Sequence, residues 1–148
     1  MATRKKTTIT AKPKKRRRKG RYITGEHISP KCAGTIKYRS GWELSVLKSL
    51  DYDASVTSYL YEAFHIPYLA NIRTGKIRKY IPDFYITYAN GQKKVVEVKR
   101  KDKVTELKTA KKLLAGKAWC DKNNIIFEVW TDATIARIRK ELETKGIL

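Results

Sequence analysis

The stretch IRKYIPDFYITYANGQKKVVEVK, residues 77–99, decides how this chain folds. Ile77 to Tyr80 and Phe84 to Tyr88 are rich in aromatic and β-branched residues and read as one strand bent at Pro82. Asn90-Gly91 is a strong hairpin signal, and Lys93 to Lys99 completes the hairpin. Glu97 and Lys99 stand two apart on the returning strand, so their side chains leave the same face. Loop length decides whether Asp83 joins them. A two-residue turn at Asn90-Gly91 would pair Asp83 with Val98 and Phe84 with Glu97, mixing polar and apolar residues on both faces, which disfavours that register. A three-residue loop, Asn90-Gly91-Gln92, pairs Asp83 with Lys99 and Tyr85 with Glu97. It gathers Phe84, Ile86, Val96 and Val98 on the opposite, core-facing side. The expectation is an odd-length loop or a bulge that puts Asp83, Glu97 and Lys99 on one face.

Two carboxylates brought together are costly unless a cation neutralises them, because like charges at short range raise each other's pKa. A hard divalent ion such as Mg²⁺ or Mn²⁺ prefers such oxygen ligands, keeps several waters and accepts a phosphate oxygen. A lysine beside it can orient the attacking water, supply charge to the transition state or act as a base, and the residues alone do not choose among these roles for Lys99.

Working outward, Ser40-Gly41-Trp42-Glu43 opens a helix with Trp42, Val46, Leu47 and Leu50 at helical spacing, ending near Asp51 to Asp53. Tyr22 to Arg39, punctuated by Gly25, Pro30 and Gly34, reads as a loop or short extended entry. Val56 to Tyr61 and Phe64 to Leu69 form one long strand or two short ones interrupted near Glu62, and Asn71 to Gly75 is a turn. Thr105 to Asp121 carries Leu107, Ala110, Leu114 and Ala118 at spacings of three or four, predicting an amphipathic helix with its lysines outward and Asn123-Asn124 as its break. Ile125 to Trp130 fits a buried strand. Thr131 or Asp132 then caps a last helix carrying Ile135, Ile138 and Leu142, which Gly146 stops. The order describes an α/β fold, a mixed β-sheet flanked by helices.

Composition points to a polyanionic partner. Thirty-four Lys and Arg against fourteen Asp and Glu give a formal charge of +20 over 148 residues, one domain's worth of chain. Residues 1–21 hold eleven basic residues and no acidic one, including Lys14, Lys15, Arg16, Arg17, Arg18 and Lys19. This basic N-terminal arm is expected to be flexible alone and to follow nucleic-acid phosphates rather than serve as a solvated tail or localisation-like patch, with a protein partner, such as one in a virion, as another means of ordering it. Residues 22–148 form the folded domain. No apolar stretch approaches the roughly 20 residues that span a bilayer, and no apolar run follows the basic start as a secretory signal requires. The expected compartment is cytoplasm, of a host cell if the protein is viral, or a virion. Cys32 and Cys120 form no CxxC pair and predict no disulfide framework; with His27 and His65 they lack zinc-ligand spacing.

Ile81-Pro82-Asp83 followed by Glu97-Val98-Lys99 resembles the PD-(D/E)XK nuclease motif. Trp42-Glu43, Tyr80-Ile81-Pro82-Asp83-Phe84, Val96-Glu97-Val98-Lys99 and Phe127-Glu128-Val129-Trp130-Thr131-Asp132 resemble the catalytic domain of TnsA-type transposon endonucleases, over about residues 38–140. The resemblance implies a restriction-endonuclease-like fold that cuts DNA phosphodiesters with Mg²⁺ (or Mn²⁺) and usually leaves a 5′ phosphate. Asp83 and Glu97 would be metal ligands and Lys99 the catalytic lysine. Glu43 occupies the place of the family's acidic residue on the first helix. The TnsA-type pattern often has Gln where this chain has Glu97, which leaves the number of ions open. Because the sequence stops at Leu148, short of a further C-terminal domain, a transposase role is not expected. The compact domain with its basic arm is also similar to tailed-phage head-completion nucleases, thought to act on packaged DNA ends. The rival expectation is a noncatalytic DNA-binding or virion protein that keeps the fold and uses its charge to grip DNA.

Plainer roles compete for several residues. Ser40-x-x-Glu43 is a capping box whose Glu can reach back to the Ser40 backbone. Lys108, Lys111 and Lys112 are expected either to contact phosphates or only to solvate a helix face. Tyr85 reads as a cover for the hairpin rather than a platform for a base, and His65 as an ordinary histidine near the sheet edge rather than a general base.

Overall fold

The computed structural model describes residues 23–148; the basic arm, with Lys14 to Lys19, lies outside them. Along the chain run β1 (Gly25–Ser29), β2 (Cys32–Tyr38), α1 (Gly41–Tyr52), β3 (Val56–Tyr61), β4 (Ile66–Asn71), β5 (Lys76–Tyr80), β6 (Phe84–Tyr88), β7 (Lys93–Val98), α2 (Lys101–Val104), α3 (Leu107–Lys122), β8 (Ile126–Trp130) and α4 (Asp132–Thr144). A four-stranded sheet in the order β3-β6-β7-β8 forms the centre. Its first three strands are antiparallel, and β8 joins parallel to β7, so the sheet is mixed.

Side-chain alternation splits the core between the two faces of this sheet. Phe84, Ile86 and Val96 on one face pack with Val46, Leu47 and Leu50 of α1 and Ile135, Ile138 and Leu142 of α4. On the other face lies a smaller cluster of Ile66, Tyr68 and Tyr80 with Ala115, Trp119 and Phe127, which joins the separate β4–β5 hairpin to α3. The result is helices on both sides of a mixed sheet, the restriction-endonuclease-like arrangement. Among the described residues no helix is long and apolar enough to cross a membrane.

Several local expectations differ from what forms. The segment before α1 is a β-hairpin rather than a loop: Pro30 sits in the turn between β1 and β2, and Gly34 takes φ +79. Asp51 on α1 ties that hairpin down by accepting hydrogen bonds from Ser29 and Tyr59 and holding His27 at 2.6 Å. The strand expected to bend at Pro82 is two strands in different sheets, since β5 pairs with β4 while β6 pairs with β3 and β7. Of the two alternatives for Val56 to Leu69, the two short strands form, β3 and β4, and the chain turns between them at Glu62, where φ is +48. Strand β8 is half-buried rather than fully buried, because it is the sheet's edge.

The expected apolar stripe of α3 faces the wrong way. Leu107 and Leu114 are each 71% exposed, whereas Thr109, Gly116 and Cys120 are buried. Both sets fit a helical period, the buried residues seven and four apart and the two leucines seven apart, so periodicity alone does not separate them. Packing does: a Cβ at Gly116 would stand 2.9 Å from both Phe127 and Tyr80. The helix therefore approaches the sheet on its small-residue face, and the sheet's aromatic rings fill the space.

Candidate active site

The β6–β7 hairpin has the odd-length loop, but in a different place. Tyr88 and Gln92 close it, with Gly91 N–H donating to Tyr88 O at 2.9 Å, so the three loop residues are Ala89, Asn90 and Gly91. The reason is Gly91, which takes φ +84 at the third loop position. A type I turn followed by a left-handed residue needs glycine there, and the expected Asn90-Gly91-Gln92 loop would have put glutamine in that conformation. The register moves by two residues: Phe84 pairs with Val96 and Tyr85 with Val95. An even shift keeps every side chain on its expected face. The cross-strand partners change, however, and continuing the ladder one residue sets Asp83 opposite Glu97 rather than Lys99.

Asp83 and Glu97 are thus neighbours at the point where β6 begins and β7 ends. Asp83 Oδ2 accepts the Val98 backbone N–H at 2.7 Å, and the Asp83 carbonyl accepts that of Glu62 at 2.9 Å. Glu97 Oε2 accepts the Tyr80 hydroxyl at 2.7 Å. Burial pushes Asp83 well above the ordinary carboxylate range; the charges of Glu97 and Glu43 push the same way, and the Val98 N–H and Lys99 oppose them. Glu97 is also raised, by burial, against lowering contributions from Tyr80, Lys99 and Lys112. Lys99, two residues beyond Glu97, is fixed through its backbone N–H to Trp130 O at 3.0 Å, so the edge strand β8 positions it.

Glu43 lies in the first turn of α1, where the Ser40 hydroxyl accepts its backbone N–H at 3.1 Å. Only this half of the capping box forms. The Glu43 carboxylate reaches the Arg39 N–H at 3.2 Å and also accepts the Tyr61 hydroxyl. Glu43, Lys99, Trp42, Arg100 and Lys103 line an open cleft of about 420 Å³ that also takes in Val98, whose N–H holds Asp83. Among the described residues no three His, Cys, Asp or Glu side chains form a ready cage for a metal ion. The donor set nevertheless suits Mg²⁺: two adjacent carboxylates, held back from ionising by burial, supply hard oxygens and leave positions for water and phosphate.

The lysines of α3 divide. Lys108 is exposed, Lys111 donates to the Ala70 carbonyl at 2.9 Å and so clamps α3 to β4, and Lys112 is half-buried. Burial depresses the Lys112 ammonium, as do the charges of Lys108 and Lys99, while Glu97 supports it. Tyr85 stacks edge-on against Phe64, and His65 is exposed just before β4. Three residues at the site escaped the sequence reading: Tyr80, Tyr61 and Arg39. Tyr80 opens the quoted Tyr80-Ile81-Pro82-Asp83-Phe84 motif, yet only the fold shows that its hydroxyl meets Glu97.

With this geometry in place, comparison with known proteins adds the lineage. The family profile described as TnsA-like endonuclease N terminal matches residues 53–132, just over half of the chain. No curated protein gives a significant match. The matched span contains Asp83, Glu97, Lys99 and Tyr80, and stops short of Glu43.

Proposed function

We propose that this chain, which belongs to the TnsA-like endonuclease family within the PD-(D/E)XK nucleases, is a Mg²⁺-dependent DNA endonuclease whose reaction is carried by Asp83, Glu97 and Lys99. The observation that supports this most strongly is the opposition of Asp83 and Glu97 across the hairpin, two half-buried carboxylates at adjacent cross-strand positions whose pKa values are both raised. Asp83 and Glu97 would hold the ion, and Glu43 would join them on exchanging its bond to Tyr61. When bound, Mg²⁺ supplies positive charge to the phosphate and acidifies a water. Tyr80 favours the ionised form of Glu97, against the effect of burial, and fixes its orientation by donating to it. Lys99 places its ammonium beside the carboxylates, where it offsets charge developing on the phosphate oxygens. Attack by the water oxygen forms one P–O bond while the P–O3′ bond breaks, leaving a 5′ phosphate and a 3′ hydroxyl that takes up the proton.

Lys112 and Lys108 provide the nearest cations for the DNA backbone, and the arm carrying Lys14, Lys15, Arg16, Arg17, Arg18 and Lys19 adds nonspecific affinity. The combination of compact domain and basic arm supports a narrower role, a phage head-completion nuclease acting on packaged DNA ends. The test is relaxation of supercoiled plasmid by the full chain with Mg²⁺, with EDTA, and with the Glu97→Ala variant. Cleavage by the wild type with Mg²⁺ alone is expected. Equal cleavage by the variant would overturn the assignment, and normal DNA binding without cleavage would favour a noncatalytic DNA-gripping protein. Preference for linear over circular DNA is the expected result for the narrower role, and indifference to ends would remove it.

A further inference from the structure

The β4–β5 hairpin forms its own two-stranded sheet, and only one side of it packs, with Ile66, Tyr68 and Tyr80 buried against α3. From Ile66 to Tyr80 the sequence carries Arg73, Lys76, Arg78 and Lys79 and no acidic residue, and all four cations are exposed. Ile72 at the tip is 84% exposed; Leu69 and Ile77, a cross-strand pair on the side away from α3, are 46% and 60% exposed. The tip is preformed, because Asn71 Oδ1 accepts the backbone N–H groups of Arg73 and Thr74 at 2.9 and 3.3 Å and Gly75 takes φ +68. Arg78 shares a cleft with Lys108 and Lys111 of α3, and Lys111 donates to Ala70 O on β4, so the cations of the hairpin run on into those of the helix.

We propose that the β4–β5 hairpin enters the major groove of duplex DNA and sets which stretch of backbone reaches Asp83 and Glu97. The second half of this statement rests on the nuclease reading; the first does not. A major groove about 12 Å wide admits a two-stranded ribbon as it stands, whereas a minor groove about 6 Å wide must be widened at a cost in DNA deformation to take one. Arg73, Lys76 and Lys79 suit the flanking phosphates, and Leu69 and Ile77 suit thymine methyl groups, which only the major groove displays. Only Ile81 and Pro82 separate β5 from Asp83, and that step spans at most about 11 Å, so the groove entered must adjoin the phosphate attacked. A protein partner is the other occupant for an exposed apolar ribbon. Lysine is depleted at protein–protein interfaces, and four cations without one carboxylate favour DNA.

The experiment compares the full-length Glu97→Gln protein, which holds DNA without cutting it, with the same protein also carrying Arg73→Gln, Lys76→Gln and Lys79→Gln. The logarithmic salt slope of duplex binding should fall by about 2 to 3, at about 0.9 for each phosphate no longer neutralised. Guanine N7 methylation in the major groove should be blocked by the parent and restored by the triple variant. An unchanged slope, or protection confined to adenine N3 in the minor groove, would overturn the inference. If the triple variant does not fold, Arg73→Gln and Lys79→Gln singly should each lower the slope by about 0.9, and no change in either would count against the inference equally. Groove protection in a protein whose wild type cuts no plasmid would sink the nuclease reading and keep the hairpin. Plasmid cleavage with hairpin variants indistinguishable from parent would do the reverse.

Discussion

Asp83 and Glu97 are both held above the ordinary carboxylate range, chiefly by burial, and at Asp83 next by the charge of Glu97. A group whose folded pKa is raised favours the folded state below its unfolded pKa, and that contribution is lost as pH rises through the folded value. Without a divalent ion, ionising either group therefore costs the folded state stability as pH rises. Asp83→Asn and Glu97→Gln keep an oxygen to accept from Val98 and Tyr80, so each should raise Tm in EDTA at pH 7 by several degrees, on a scale of about 2–4 °C per kcal/mol, and change it little near pH 4. Both should lose at least about 10²-fold in cleavage rate. A lowered Tm in EDTA would contradict this account of the pair. Tyr80→Phe removes a hydrogen bond that lowers the Glu97 pKa, so the acid limb of the pH–rate profile should move to higher pH, with activity lost more at pH 6 than at pH 9. An unmoved limb would show that Tyr80 only packs. That Asp83 and Glu97 share one face of the hairpin was legible in the sequence, because the parity of their spacing marks it. Tyr80 and Tyr61 were not, since each meets its carboxylate from 17 or 18 residues away, through packing that no local pattern reports.

Among the elements, α3 and the β6–β7 hairpin separate what pattern can fix from what it cannot. The hairpin's face assignment followed from parity alone. Its pairing did not, because the loop is placed by which residue accepts a positive φ, and Gly91 at the third position moved every partner by two. In α3 two stripes of equal period competed, and close approach at Gly116 decided between them. Gly116→Ala should cost about 1–3 kcal/mol in urea unfolding by overpacking against Phe127 and Tyr80, and should slow cleavage by disturbing the Tyr80–Glu97 contact. Leu114→Ala, on the exposed stripe, should stay within about 0.5 kcal/mol of wild type. The reverse order of these two effects would restore the stripe expected from the sequence. The β1–β2 hairpin was illegible because Gly25, Pro30 and Gly34 look like loop punctuation, whereas Pro30 is only its turn and Asp51 holds the strands in place from α1.

For the molecule as a whole, element order was enough for the fold class: a mixed sheet with helices on both faces leaves one end of the central hairpin free to carry the site. The charge of +20 adds a prediction of its own. Deleting residues 1–21 should weaken duplex binding and flatten its salt slope by about 0.9 for each phosphate the eleven basic residues neutralise, while the folded domain keeps its Tm. An unchanged slope would remove the arm from DNA binding. The central claim is that Asp83 and Glu97 serve the bond-breaking step rather than DNA binding or folding. It is tested most directly by single-turnover cleavage of a saturating protein–DNA complex in Mg²⁺, comparing wild type with Asp83→Asn. The account predicts a rate lowered by at least about 10²-fold with DNA affinity equal to or tighter than wild type. An equal rate in the variant, or a loss that follows weakened binding alone, would contradict it.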